Sequence, residues 1–144
     1  MSGGPVKLAR TLFGVLVFVS ASQGSAFAVK VIAHSSVKVS QVTLEELKGV
    51  FLETRTSLSD GSHVEPVLLR SGDVHDAFVR QYTGKSVAGL ESYYRSLVFT
   101  GKGAMPKILK SDAEVLAYVK KTKGAIGYVS DGASTEGVKI LDVK

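Results

Sequence analysis

Residues 67–78 read VLLRSGDVHDAF. An arginine, a hydroxyl residue and a glycine stand together here, just before an apolar helix-like spacing. Arg70 presents a planar guanidinium that grips two oxygens at once. Ser71 adds a hydroxyl. If a helix starts at this point, the backbone N–H groups of Gly72, Asp73 and Val74 have no partner within the helix, and its dipole adds roughly half a positive charge. That set of donors suits a small oxyanion. The same turn has a second reading. Ser71 and Asp73 are N-cap types, whose side-chain oxygen would fill those N–H groups from inside the chain. An Asp73 carboxylate facing an anion would also repel it.

Other chemistry has little support. His34, His63 and His75 lack the close spacing of metal ligands, and there is no cysteine, so no metal and no cofactor is expected. Ser71, His75 and Asp76 sit too close in sequence for a hydrolase triad, and no G-x-S-x-G elbow occurs. GKGAMPK (101–107) has glycines and lysines without phosphate-loop spacing and reads as a flexible surface loop. Nothing pairs a nucleophile with a base, so no enzyme is expected. Basic residues do not interleave with aromatics, which argues against nucleic acid as a partner.

The elements that must hold the turn are legible. VKVIAH (29–34) and VEPVLL (64–69) read as strands, with Pro66 pointing to an edge or a bulge. TLEELKGVFL (43–52) opens on Thr43 with Glu46 three residues on, a capping box, and Leu44, Leu47 and Phe51 share a face. A turn is expected at Asp60-Gly61. Helices follow near 74–83, with Phe78 and Tyr82 on one side and Gly84 as the stop, and near 86–98, with Leu90, Tyr94 and Leu97 aligned. Tyr93 and Tyr94 read as one rim and one core residue. Ser111 and Glu114 form a second capping box for 111–122, where Val115 and Val119 point inward and Gly124 closes the helix. AIGYV (125–129) and VKILDV (138–143) are the final strands. Alternating strands and helices give an α/β class with a mixed, mostly parallel sheet flanked by helices.

Before these elements stands a different kind of segment. Lys7 and Arg10 precede the apolar LFGVLVFVS (12–20), and Ala26-Phe27-Ala28 follows. A basic region, a short apolar run and an A-x-A site make a signal peptide, 1–28, with cleavage before Val29. That leaves one domain, 29–144, exported to the periplasm. The chain carries 18 Lys and Arg against 13 Asp and Glu, a balance that suits a small anionic ligand.

Three segments resemble one family in order. TKGAIGYV (122–129) is similar to the T-P-G-A-I-G-Y-V segment of periplasmic phosphate-binding proteins of ABC transporters. VTLEELKGVFL resembles that family's L-T-x-E-x-L-x-x-I-F, and VEPVLLRSGDVHDAF occupies the place of its phosphate turn, R-x-x-x-S-G-T-x-x-x-F. The resemblance spans about residues 29–132 and is also to short, single-lobe relatives. It implies one lobe of a type 2 periplasmic binding protein, with phosphate or a related oxyanion held at Arg70, Ser71, Gly72, Asp73 and Val74. It further implies a membrane permease or another periplasmic protein as partner, in an uptake or sensing system. The sequence departs from the pattern at three places: Glu53 stands near the place where the family usually has glycine, no tryptophan is present, and Arg70 and Phe78 are eight apart where the family spaces them by ten. The family's first lobe has no counterpart in these residues. A lobe kept as a scaffold or interaction module, without ligand binding, is the alternative function.

Overall fold

The computed structural model describes residues 28–144, together with Gly3. The expected signal peptide lies outside the described residues except for Gly3 and Ala28. Eleven elements follow: β1 (Val29–Ala33), β2 (Gln41–Val42), α1 (Leu44–Phe51), β3 (Glu65–Leu69), α2 (Asp73–Phe78), a π-helical turn (Val79–Thr83), α3 (Val87–Phe99), β4 (Lys107–Leu109), α4 (Asp112–Lys121), β5 (Ala125–Ser130) and β6 (Lys139–Val143).

The strands make one six-stranded sheet in the order β2-β6-β1-β5-β3-β4. Three of its five pairings are parallel and the two made by β1 are antiparallel, so the sheet is mixed and mostly parallel, as the alternation implies. Val31, Ile32, Val67, Leu68, Ile126, Tyr128 and Val129 fill the core from the sheet, against Leu47, Val50, Phe51, Phe78, Val115 and Val119 from the helices.

Local chemistry explains most boundaries. Thr43 Oγ1 accepts from the Glu46 N–H, and Glu46 accepts from the Thr43 N–H, both at 3.0 Å, so the first capping box is complete. The second is shifted. Ser111 accepts from the Glu114 N–H, but the Glu114 carboxylate reaches one residue further back, to the N–H of Lys110. The inner face of α1 is Leu47, Val50 and Phe51. Leu44 is largely exposed, because the box places it on the outer side of the first turn.

Pro66 does not mark an edge, since β3 lies between β5 and β4. Its strand tolerates it for a local reason. The N–H groups of Glu65 and Leu69 face β5 and that of Arg70 faces β4, so by alternation Pro66 faces the β4 side. The β4 pairing starts only at Val67, so no ladder bond is lost. Two short strands were not foreseen. β2 has two residues, and β4 emerges from the end of the segment read as a surface loop, Lys107 included. Both are too short to carry a period-two pattern.

Candidate functional site

β3 carries the chain through the core to the site. Val67, Leu68 and Leu69 are buried, and Arg70 is the first exposed residue. The Arg70 N–H still donates to the Leu109 carbonyl at 2.8 Å, so the backbone is anchored to the sheet where the side chain leaves it. Gly72 then turns the chain with φ 107°, a region that disfavours any side chain. The helix begins directly after it, the Asp76 N–H donating to the Gly72 carbonyl at 2.9 Å.

Gly72 is the N-cap of α2, and no side chain caps this helix. The expectation that Ser71 or Asp73 would fill the first-turn N–H groups is therefore not met. Both flank the cap residue instead of occupying it. The other three helices are closed by Thr43, Ser86 and Ser111. Arg70, Ser71, Gly72 and Asp73 are exposed and Val74 is half-buried, so the five predicted residues gather at one helix start. The ion pairs among the described residues are Arg55–Glu46 and Arg95–Glu91, which leaves Arg70 out of both.

Beneath the turn the helix is held by a contact the sequence reading missed. His75 is 5 % exposed, and its Nδ1 lies 2.5 Å from the Tyr128 hydroxyl. That hydroxyl accepts from the Leu69 N–H at 3.0 Å. The hydroxyl donates to Nδ1 when neutral His75 carries its proton on Nε2, and accepts from Nδ1 in the other tautomer. Tyr128 has this role because β3 and β5 pair only at Glu65–Ala125 and Pro66–Ile126. Beyond them a phenol replaces the ladder. The Tyr128 ring stacks on Phe78, centroids 3.8 Å apart and nearly parallel. Burial pushes the Tyr128 hydroxyl far above its ordinary range and pulls His75 below its own, although Asp76 and Glu91 push the imidazole back up.

The segment TKGAIGYV thus does structural work around the site. Gly124 has φ 79°, and a Cβ there would lie 2.5 Å from the His63 carbonyl oxygen. A Cβ on Gly127 would come within 3.0 Å of Val115, so this glycine lets α4 lie close on β5. Tyr128 ties Leu69 to His75. The aromatic in AIGYV was the available signal, but its partners are 53 and 59 residues away in sequence. Glu53 adopts φ 59°, the left-handed conformation that favours glycine.

No family model and no curated protein matches the chain. Solved structures do. A Clostridium perfringens protein assigned as a phosphate ABC transporter substrate-binding protein, determined with bound phosphate, superposes with a TM-score of 0.62 at 19% identity, over 80% of this chain and 44% of its own. An ABC-type phosphate transport receptor from Vibrio cholerae gives 0.53 at 15% identity, over 80% and 45%. PstS from Borrelia burgdorferi gives 0.52 at 18%, over 81% and 47%. The chain therefore has the fold of a part of these binding proteins and spans less than half their length.

Proposed function

We propose that this domain is a periplasmic binding-protein lobe that takes phosphate or a related oxyanion at the start of α2, in an ABC uptake or sensing system with a membrane permease or another periplasmic protein as partner. The observation that carries the reading is the uncapped start of α2 beside Arg70, at the end of a core strand. The donors would be the Arg70 guanidinium, the Ser71 hydroxyl and the N–H groups of Gly72, Asp73 and Val74. Binding is weak in this reading, because Asp73 places a carboxylate among them.

Phosphate titration by calorimetry tests it on three forms. Wild type should bind at millimolar phosphate. Arg70→Ala should lose a charge-assisted contact of roughly 1.5–3 kcal/mol. Asp73→Thr should tighten binding, by removing a repulsive charge and adding a hydroxyl. No heat from wild type and no rescue by Asp73→Thr would leave the turn as a plain connection. The alternative, an interaction module, has an observation of its own in an exposed apolar surface between residues 98 and 108.

A further inference from the structure

Six large apolar side chains are exposed among the described residues, and four of them, Val98, Phe99, Met105 and Ile108, fall between residues 98 and 108. Val98, Phe99 and Met105 line one depression of about 560 Å³ with Arg95 and Ser96, and Ile108 stands beside Met105 along a neighbouring crevice. Phe99 is 92 % exposed. Scattered apolar residues need no explanation, but a contiguous group does.

The patch is built on rigid parts. Thr100 caps the end of α3 through its N–H to Ser96 and Val98, and Gly101 follows with φ 69°. The N–H groups of Lys102 and Gly103 both turn back to the Leu97 carbonyl. Phe99 is therefore held out at a well-closed helix end. On the other side lies β4, the last strand of the sheet. The Leu109 carbonyl faces β3, where it accepts from Arg70, so alternation turns the N–H and C=O of Ile108 outward. An apolar depression thus borders an open strand edge.

Charge selects the occupant. From Arg95 to Lys110 the chain carries Arg95, Lys102, Lys107 and Lys110, with no Asp or Glu. Glu91 pairs with Arg95 at 3.4 Å at the margin. A second copy laid on this face would set Lys102, Lys107 and Lys110 against the same three cations. An acidic strand would meet them with opposite charge and find backbone donors and acceptors at Ile108.

We propose that this face docks an extended segment of another protein, alternating acidic and apolar residues, which adds to the β4 edge and sets an apolar side chain beside Phe99. Phe99 is the anchor, Met105 and Val98 shape its pocket, and Lys102, Lys107 and Lys110 set the charge preference. Arg70 lines the same crevice as Met105 and Ile108, so the anion turn borders this face and adds a further cation to it.

The probe is a fluorescein-labelled, end-blocked heptapeptide alternating Glu or Asp with Val, Leu and Phe, read by anisotropy. Binding should weaken with salt and be lost when lysine replaces the acids. Phe99→Ser should weaken it about tenfold or more, the size of an aromatic anchor. Lys102→Glu should do so more mildly, and Lys38→Glu, an exposed residue just before β2 at the opposite edge of the sheet, should leave it unchanged. Phe99 and Lys102 are solvent-exposed, so neither variant should disturb folding, which circular dichroism checks. No binding by wild type, or equal binding by Phe99→Ser, overturns the proposal. So does sedimentation with phosphatidylglycerol-containing vesicles in place of peptide binding, which would assign the face to a membrane. A concentration-dependent dimer broken by Phe99→Ser would overturn it in favour of self-association.

Discussion

Helices α1 and α2 meet the same problem at their starts and solve it differently. Each begins with backbone N–H groups that no helical carbonyl reaches. In α1 the chain fills them itself. Thr43 and Glu46 close a reciprocal box, and the Glu46 carboxylate also accepts from the Ser59 N–H at 3.0 Å and pairs with Arg55 at 3.5 Å. In α2 the first turn has no side-chain cap, and the helix is fixed from below, by His75 on Tyr128. A start secured by its cap has nothing to offer a ligand. A start secured from beneath keeps its upper donors open. The difference lies in where the helix is fastened, not in its length or composition.

The fastening of α2 should give the largest effect when broken. Tyr128→Phe removes a hydroxyl and leaves the buried Leu69 N–H and His75 Nδ1 without their partner. The expected cost is about 2–3 kcal/mol, read from urea denaturation as a lower midpoint at unchanged slope. A cost below about 0.5 kcal/mol, the range of ordinary surface changes, would mean that α2 is held by Phe78 packing alone.

Glu46→Ala breaks the other start. It deletes acceptors for two N–H groups and one ion pair, and should cost about 1.5–2.5 kcal/mol. Burial raises the Glu46 carboxyl, but the Thr43 and Ser59 hydrogen bonds outweigh it and hold the group below its usual value. Glu46→Gln should therefore recover only part of the loss. Full recovery would show that the charge is irrelevant and weaken the contrast with α2.

The far ends of the two helical segments extend the comparison. The π turn after α2 ends in Gly84 at φ 68°, while α1 is followed by Glu53 at φ 59°. The same left-handed conformation is easy for the glycine and strained for the glutamate. Glu53→Gly should stabilise the fold by about 1 kcal/mol, and Gly84→Ala should destabilise it by a similar amount. Glu53 also lies half-buried near Glu65, which together with burial raises its carboxyl. Thermal melts of both variants test the pair. A loss of stability in Glu53→Gly would mean that the carboxylate makes a contribution larger than the strain.

These particulars show what a single sequence carries. Caps are local, so Thr43, Ser86 and Ser111 and the helices behind them were legible from neighbouring residues. The stop at Gly84 and the pairing of Phe78 with Tyr82, ring centroids 5.1 Å apart, were legible for the same reason. Of the two readings of the turn, the side-chain cap does not form: Ser71 and Asp73 have the right chemistry, yet the backbone bends at Gly72. That choice depends on the sheet below it. β4 fixes Arg70 through Leu109, and β5 fixes Leu69 through Tyr128. Neither strand is near in sequence. Pro66 was misread as an edge marker because its tolerance depends on where β4 begins. Long-range pairing decides such points, and periodicity does not report it.

The smallest expected effect is a pH dependence that separates the two starts by window. Burial lowers the His75 pKa, with Asp76 and Glu91 opposing. A base with a lowered folded pKa binds fewer protons folded than unfolded. Its contribution is fully present above the ordinary histidine value near 6.5 and is lost as pH falls below it. The chemistry agrees, because an imidazolium would have to donate from Nδ1 to a hydroxyl whose own proton then lacks its acceptor. Glu46 works lower. Its folded pKa lies below the usual carboxylate value, so its contribution is lost only as pH falls through about 4.5 and beneath. Stability measured from pH 7.5 to 5.5 should thus fall through His75, and from 4.5 downward through Glu46 as well. One group cannot exceed a slope of about 1.4 kcal/mol per pH unit. His75→Gln should flatten the upper window and leave the lower one, and Glu46→Gln should do the reverse. An unchanged upper slope in His75→Gln would show that protonation at the base of α2 does not loosen it, and that the helix start is fastened by something other than the Tyr128 contact.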